Sequence, residues 1–71
     1  MKRYAIVIEK GATNYGAYVP DLPGCVSCAD EINQLKTNIR EAIEMYIEDM
    51  LADGEPVPEP TAQWTEIAVG V

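Results

Sequence analysis

The sequence predicts an α+β domain in which three short strands precede one long helix and a fourth strand follows it. Three observations lead to this fold class: short apolar runs between turn residues before position 30, an amphipathic pattern over residues 31–52, and an alternating segment at residues 64–69. The chain has 71 residues, enough for one domain, and its apolar fraction of 48% is sufficient for a core.

The first half of the chain carries three strand patterns joined by short turns. Residues 4–8, Tyr-Ala-Ile-Val-Ile, form a continuous apolar run, which is typical of a central strand buried on both faces. Residues 11–14 have the composition of a hairpin turn, and residues 15–19 form a second strand that Pro20 ends. In Leu-Pro-Gly-Cys at residues 22–25, Pro and Gly occupy the central positions of a type II turn, and a third strand follows at residues 25–28.

A single long helix is predicted for residues 31–52. Asp30 is expected to cap its N-terminus, and Gly54 is expected to end it in the left-handed conformation. The Pro-rich segment 55–60 then favours an extended polyproline conformation that leads to the last strand. The apolar positions of the helix recur three and four residues apart, at Ile32, Leu35, Ile39, Ala42, Ile43, Tyr46 and Met50.

The predicted topology is a four-stranded mixed sheet with the strand order 3-2-1-4 and one helix on one face. Short turns make the first three strands antiparallel, and the helical crossover returns the last strand parallel to the first. One helix cannot cover both faces of this sheet, so apolar surface remains uncovered on the other. We therefore expect a homo-oligomer.

Charge is distributed unevenly along the chain. Twelve acidic residues face five basic ones, for a net charge of −7, and no basic residue follows Arg40. On the outer side of the helix, Glu41, Glu44, Glu48 and Asp49 have no lysine among them, although like charges at this spacing cost a few tenths of a kcal/mol per pair. The pattern favours a basic protein partner that contacts these four residues and disfavours direct DNA binding. That the acidity only keeps a small domain in solution remains an alternative.

The two cysteines form a lone Cys-x-x-Cys motif at Cys25 and Cys28. Residues three apart in a strand face opposite sides, and a zinc site needs about four ligands in a chain that has no histidine. The sequence therefore predicts two reduced thiols, at least one of them in the core, and no cofactor or metal.

Catalysis is not expected from these residues. The absence of histidine removes the commonest general base. A remnant of a metal-dependent nuclease remains an alternative. Its candidate metal-binding carboxylates are Glu9, Asp21, Asp30 and Glu66, and nothing in the spacing of these residues forces them to converge. No transmembrane run or leader pattern is present, so the expected location is cytoplasmic.

Three strings give the chain a family resemblance. Tyr-Gly-Ala-Tyr-Val-Pro-Asp-Leu-Pro-Gly-Cys at residues 15–25, Asn-Ile-Arg-Glu-Ala-Ile-Glu-Met-Tyr at 38–46 and Asp-Gly-Glu-Pro-Val-Pro-Glu-Pro at 53–60 resemble the HicB-like antitoxin family. The resemblance covers residues 4–69 and departs from the family pattern at residues 29–31, where Ala-Asp-Glu replaces the usual Gly, acidic residue and Thr.

The resemblance implies a partial ribonuclease H-like fold without a catalytic centre. It also implies a protein that neutralises a small basic HicA-type, mRNA-cleaving toxin by covering its active surface, and within the shared motif Asp21 is the residue expected to contact the partner. Many family members carry an additional DNA-binding segment; here one HicB-like domain is expected over residues 1–71 without it. An orphan HicB-like interaction module without a toxin is the alternative within the family.

Overall fold

Three short strands and one long helix form in the order β-β-β-α in the computed structural model, which describes residues 1–71. The strands are β1 (Val7–Lys10), β2 (Tyr15–Tyr18) and β3 (Val26–Ala29), and the helix is α1 (Ile32–Ala52). Both strand pairings are antiparallel, and the sheet order is β1-β2-β3. The helix packs on β3 and β2, whereas β1 lies at the sheet edge away from it. The α+β class is confirmed.

The turn between β2 and β3 has the conformation that its sequence predicts. The Cys25 amide donates to the Leu22 carbonyl at 3.0 Å, and Gly24 has a φ of 84°, which is the positive value that the third residue of a type II turn requires. The turn also directs Leu22 inward, where its side chain is fully buried.

The predicted end of α1 is confirmed, but its predicted cap is wrong. Gly54 has a φ of 73°, and the Glu55 amide donates to the Met50 carbonyl at 2.9 Å, as in a Schellman motif. At the other end, Glu31 occupies the N-cap position and makes no side-chain capping bond. The helix begins one residue later than predicted, so Asp30 lies one position too early to reach the first-turn amides.

The hydrophobic core lies between α1 on one side and, on the other, β2 together with the turn at residues 19–25. Leu22 and Leu35 have no exposed surface, and they join the turn to the helix. Only six residues are buried in all, so the margin of stability of a single chain is small. The buried set is Ala17, Val19, Leu22, Cys25, Leu35 and Ile39. The helix is not apolar enough over a sufficient length to cross a membrane.

The first strand differs from its prediction in both place and bounds. It was expected at residues 4–8 in the centre of the sheet, but β1 covers Val7–Lys10 at the edge, and β2 is central. Val7 pairs with Tyr18, so the same register places Ala5 opposite Pro20, which has no amide hydrogen to donate. The ladder therefore stops, although Tyr4 and Ile6 still pack against the core.

The predicted fourth strand is not formed within the chain. The sheet has three strands, so the four-stranded mixed sheet of order 3-2-1-4 is wrong for a single copy. Residues 63–71, here called the tail, contain no strand, and Trp64, Ile67 and Val69 are 80%, 80% and 73% exposed. Alternation along a segment predicts an extended backbone but does not say which edge the segment pairs with, and here no edge of the same chain is used.

Candidate interaction surface

Four carboxylates form an acidic face on the outer side of α1. Glu41, Glu44, Glu48 and Asp49 are all exposed; the three glutamates lie on the side of the helix away from the buried residues, and Asp49 lies on the adjoining flank. Arg40 lies beside Glu41 and Glu44 along a shallow groove, yet it forms no ion pair with them. The only ion pair in the structure joins Lys2 to Glu59, so the acidic face keeps its full negative charge.

The position of this face on the helix strengthens its negative potential. The last turn of α1 contains no basic residue, and the first turn contains no acidic one. The carbonyl end of a helix carries a partial negative charge, which Glu48 and Asp49 reinforce instead of compensating. This arrangement costs a little helix stability and produces a field that attracts cations.

An exposed methionine lies at the centre of the acidic face. Met45 is 64% exposed. Its neighbours on the helix surface are Glu41, one turn before it, and Glu48 and Asp49, one turn after it. An apolar side chain surrounded by charged ones resembles the arrangement of a protein interface, in which methionine is enriched at the centre. Met45 is not among the residues that the sequence predicts to contact a partner. The available signal was its place on the helix, off the apolar stripe and within one turn of three carboxylates.

Asp21 holds a segment of the chain in place. Its Oδ2 accepts hydrogen bonds from the Thr61 and Ala62 amides, both at 3.0 Å, and its Oδ1 accepts one from the Thr61 hydroxyl at 2.7 Å. These bonds, that of the Thr61 hydroxyl first, lower the pKa of Asp21 below its ordinary value. All the hydrogen bonds that this carboxylate accepts thus come from donors in the same chain. Contact of Asp21 with a partner stays a prediction.

Asp21 is one of three attachments of residues 55–62, here called the strap. The Tyr4 hydroxyl donates to the Pro58 carbonyl at 2.6 Å, and Lys2 pairs with Glu59. The strap therefore lies against both the N-terminal segment and the turn after β2. Its path ends at Ala62, where the tail begins.

The residues considered for metal or redox chemistry are not brought together. No three His, Cys, Asp or Glu side chains are grouped so that they could hold a metal ion, and Asp21 is occupied by the strap. Cys25 is buried and Cys28 is exposed, both as free thiols, and burial raises the pKa of Cys25. The prediction of two reduced thiols, one of them in the core, is confirmed.

The chain is thus a small α+β interaction module. It consists of a three-stranded antiparallel meander, one helix with an unneutralised acidic face, and a Pro-rich strap. A family model described as a HicB-like antitoxin of bacterial toxin–antitoxin systems matches residues 4–68. The chain belongs to this HicB-like antitoxin family.

Solved and curated relatives agree with this assignment. A chain in the solved HicA3 and HicB3 toxin–antitoxin complex is similar, with a TM-score of 0.72 and 30% identity over 84% of this chain and 70% of that one. A UPF0150 protein of Synechocystis is 42% identical over 79% of this chain and 72% of its own length. A 14.9 kDa protein of Haemophilus phage HP1 is 45% identical over 79% of this chain, but the match spans only 42% of the phage protein.

Proposed function

We propose that this protein is an antitoxin that binds a small basic HicA-type toxin, an mRNA-cleaving enzyme, and neutralises it by covering its active surface. Two findings support the partner: membership of the HicB-like antitoxin family, and likeness to a chain from a complex of HicA3 with HicB3. Neutralisation by covering a surface needs no catalytic group in the antitoxin. A toxin that cleaves mRNA works in the cytoplasm, and its antitoxin works there with it.

The acidic face is the observation that carries this proposal. Glu41, Glu44, Glu48 and Asp49 are exposed and unpaired on α1, and the last two lie near its negative end. A toxin that grips RNA presents positive charge to the phosphates, and the acidic face competes for that same surface. Met45 supplies an apolar contact at the centre, from which water is excluded on binding. The same net charge of −7 disfavours DNA binding by this chain alone.

Self-association is part of the proposal. A core of six buried residues is small for an independent domain, and ten large apolar side chains remain exposed. A homo-oligomer would cover part of this surface and leave the acidic face of each copy available to a toxin.

The proposal predicts that a small basic protein is encoded next to this gene, and binding to it is the test. Purified chain and purified neighbour are mixed, and affinity is measured by isothermal titration calorimetry at several salt concentrations, together with inhibition of mRNA cleavage. Tight binding that weakens with added salt is expected, because the contact is largely between opposite charges. An absent or inactive neighbour would indicate an orphan module and contradict the proposal.

Charge reversal locates the contact. A unit charge pair at 4 Å in water is worth about 1 kcal/mol, so Glu44→Lys, which replaces attraction by repulsion, should weaken toxin binding roughly 10- to 100-fold. Asp30→Lys makes the same charge change at an exposed position before the helix, away from the acidic face, and is the control. Equal effects of both variants would mean that only net charge matters and that the acidic face is not the contact.

A further inference from the structure

The free edge of β1 and the tail are both strand-forming parts of the chain that have no partner. The helix and β2 leave one edge of β1 unpaired, and the tail forms no strand. An exposed sheet edge is a template for another strand, and native proteins usually pair it, cover it or shield it with charge.

The sequence of β1 and of the residues just before it is typical of a strand with a neighbouring strand on each side. Residues 4–8 are apolar throughout, as is typical of central strands, and Ile8 is 41% exposed at the edge. Beside this segment an open groove of about 600 Å³ separates residues 3–6 from residues 62–64. A strand-forming edge and an empty space therefore lie next to each other.

The tail has a strand pattern but no backbone partner. From residue 63 to residue 70, no amide or carbonyl makes a backbone hydrogen bond except the Val69 carbonyl, which accepts from Val71. The chain has 34 backbone hydrogen bonds, against about 50 for an ordinary domain of this length. Its radius of gyration of 13.9 Å likewise exceeds the value of about 11 Å for a compact chain of 71 residues. The tail leaves the body of the molecule.

The strap fixes the position at which the tail begins. Asp21 holds Thr61 and Ala62 against the turn after β2, and Tyr4 holds Pro58. These bonds set the point from which the tail departs, and from there it runs into solvent with Trp64 and Ile67 each 80% exposed.

We infer that the tail of one copy pairs with the β1 edge of a second copy, reciprocally, to form a strand-exchanged homodimer. The occupant is a second copy because each chain carries both halves of the contact, the free edge and the unpaired strand, which is the condition for a closed two-fold interface. The charges agree: along the edge Arg3 and Lys10 outweigh the single carboxylate of Glu9, Lys2 being paired with Glu59, and Glu66 is the one charged side chain of the tail. This inference deepens the homo-oligomer part of the proposed function and does not depend on the toxin.

Each sheet of the dimer would then contain four strands, the outermost supplied by the partner. This also accounts for the strand pattern at residues 64–69, which a single copy does not use. The acidic face lies on α1, away from β1, so dimerisation leaves it free.

Sedimentation of the full chain tests the association. A mass twice the 7.8 kDa of one copy is expected. Ile67→Pro removes an amide from the centre of the tail strand in each copy, and should weaken the dimer roughly tenfold or more. Gly70→Pro, beyond the alternating segment, is the matched control and should leave the dimer intact. A monomeric wild-type chain, or equal behaviour of the two variants, would overturn the inference.

Crosslinking between two different copies tests the pairing itself. In a Cys28→Ser background, one preparation carries Ile8→Cys and the other carries a cysteine at one of positions 65–68; the two are mixed and oxidised. A covalent heterodimer at some of these positions is expected, because paired strands bring β-carbons within disulfide reach. A dimer that crosslinks at none of them would refute strand exchange. So would a single chain with both substitutions that crosslinks only to itself.

These results are separable from those of the toxin assay. Loss of toxin binding in Glu44→Lys with an intact dimer bears only on the acidic face. Loss of the dimer in Ile67→Pro with toxin binding retained bears only on the tail.

Discussion

Replacing Leu35 by alanine tests whether the six-residue core holds the fold together. Leu35 is fully buried on the inner side of α1 and packs in the same cluster as Leu22. Removing a fully buried leucine side chain costs about 3–5 kcal/mol, because the transfer free energy is lost and a cavity remains. A domain of 71 residues has a free energy of unfolding of roughly 4–11 kcal/mol, and a small core places this chain toward the lower end.

The loss should therefore be a large fraction of the stability. Urea titration followed by circular dichroism should show the midpoint displaced strongly, and the melting temperature should fall by about 12–25 °C for a loss of 3 kcal/mol. Wild type and variant must be compared at one protein concentration, because self-association would make the apparent stability concentration-dependent.

Met45→Ala is the matched control on the same helix. Met45 is 64% exposed, so its truncation should change the free energy of unfolding by no more than about 0.5 kcal/mol. The two variants should separate two properties: Leu35→Ala loses stability, and Met45→Ala keeps stability but weakens toxin binding. A stable Leu35→Ala variant would refute the account of the core, and a strongly destabilised Met45→Ala variant would show that Met45 packs against something.

Three further outcomes are expected. Gly54→Ala should destabilise the protein by about 1–2 kcal/mol in urea titration, because an alanine at a φ of 73° is strained although no atom lies near it; Gly70→Ala, at an open position, should have no effect. Because the pKa of Asp21 is lowered in the folded protein, its bonds to the strap stabilise the fold at pH values above the ordinary pKa of aspartate, and this stabilisation is lost as pH falls through the lowered pKa. At that low pH the strap amides should exchange hydrogen faster. Asp21→Asn should remove this pH dependence. In the folded protein one thiol, that of Cys28, should react with a thiol reagent, and Cys25 should react only after unfolding. Equal reactivity of both thiols would contradict the burial of Cys25.

Features that depend on neighbouring residues were predictable. Pro23 and Gly24 specify a type II turn by their own backbone preferences, and Gly54 ends a helix whose apolar stripe has a period of three to four. The acidic face followed from the same helical period, since positions three and four apart share a side. Met45 was accessible by that reasoning and was missed because single exposed apolar residues are common.

Features that depend on distant contacts were not predictable. Asp21 and Thr61 are separated by forty positions, so nothing local indicates that the carboxylate holds the strap instead of facing a partner. The apolar run at residues 4–8 indicates a strand with two neighbours, but whether the second neighbour comes from the same copy is decided by where the tail leaves the body.

The sequence alone determined that three short strands precede one long helix, where the type II turn and the helix end lie, and the sign of the surface charge, because each of these follows from residues within one or two helical turns of each other. Only the tertiary structure decided that β1 lies at an edge, that the tail has no partner in its own chain, and that Asp21 is occupied by the strap. The physical reason is that backbone pairing satisfies any extended segment equally well, so the choice of partner depends on which edges and which attachment points the folded chain brings within reach.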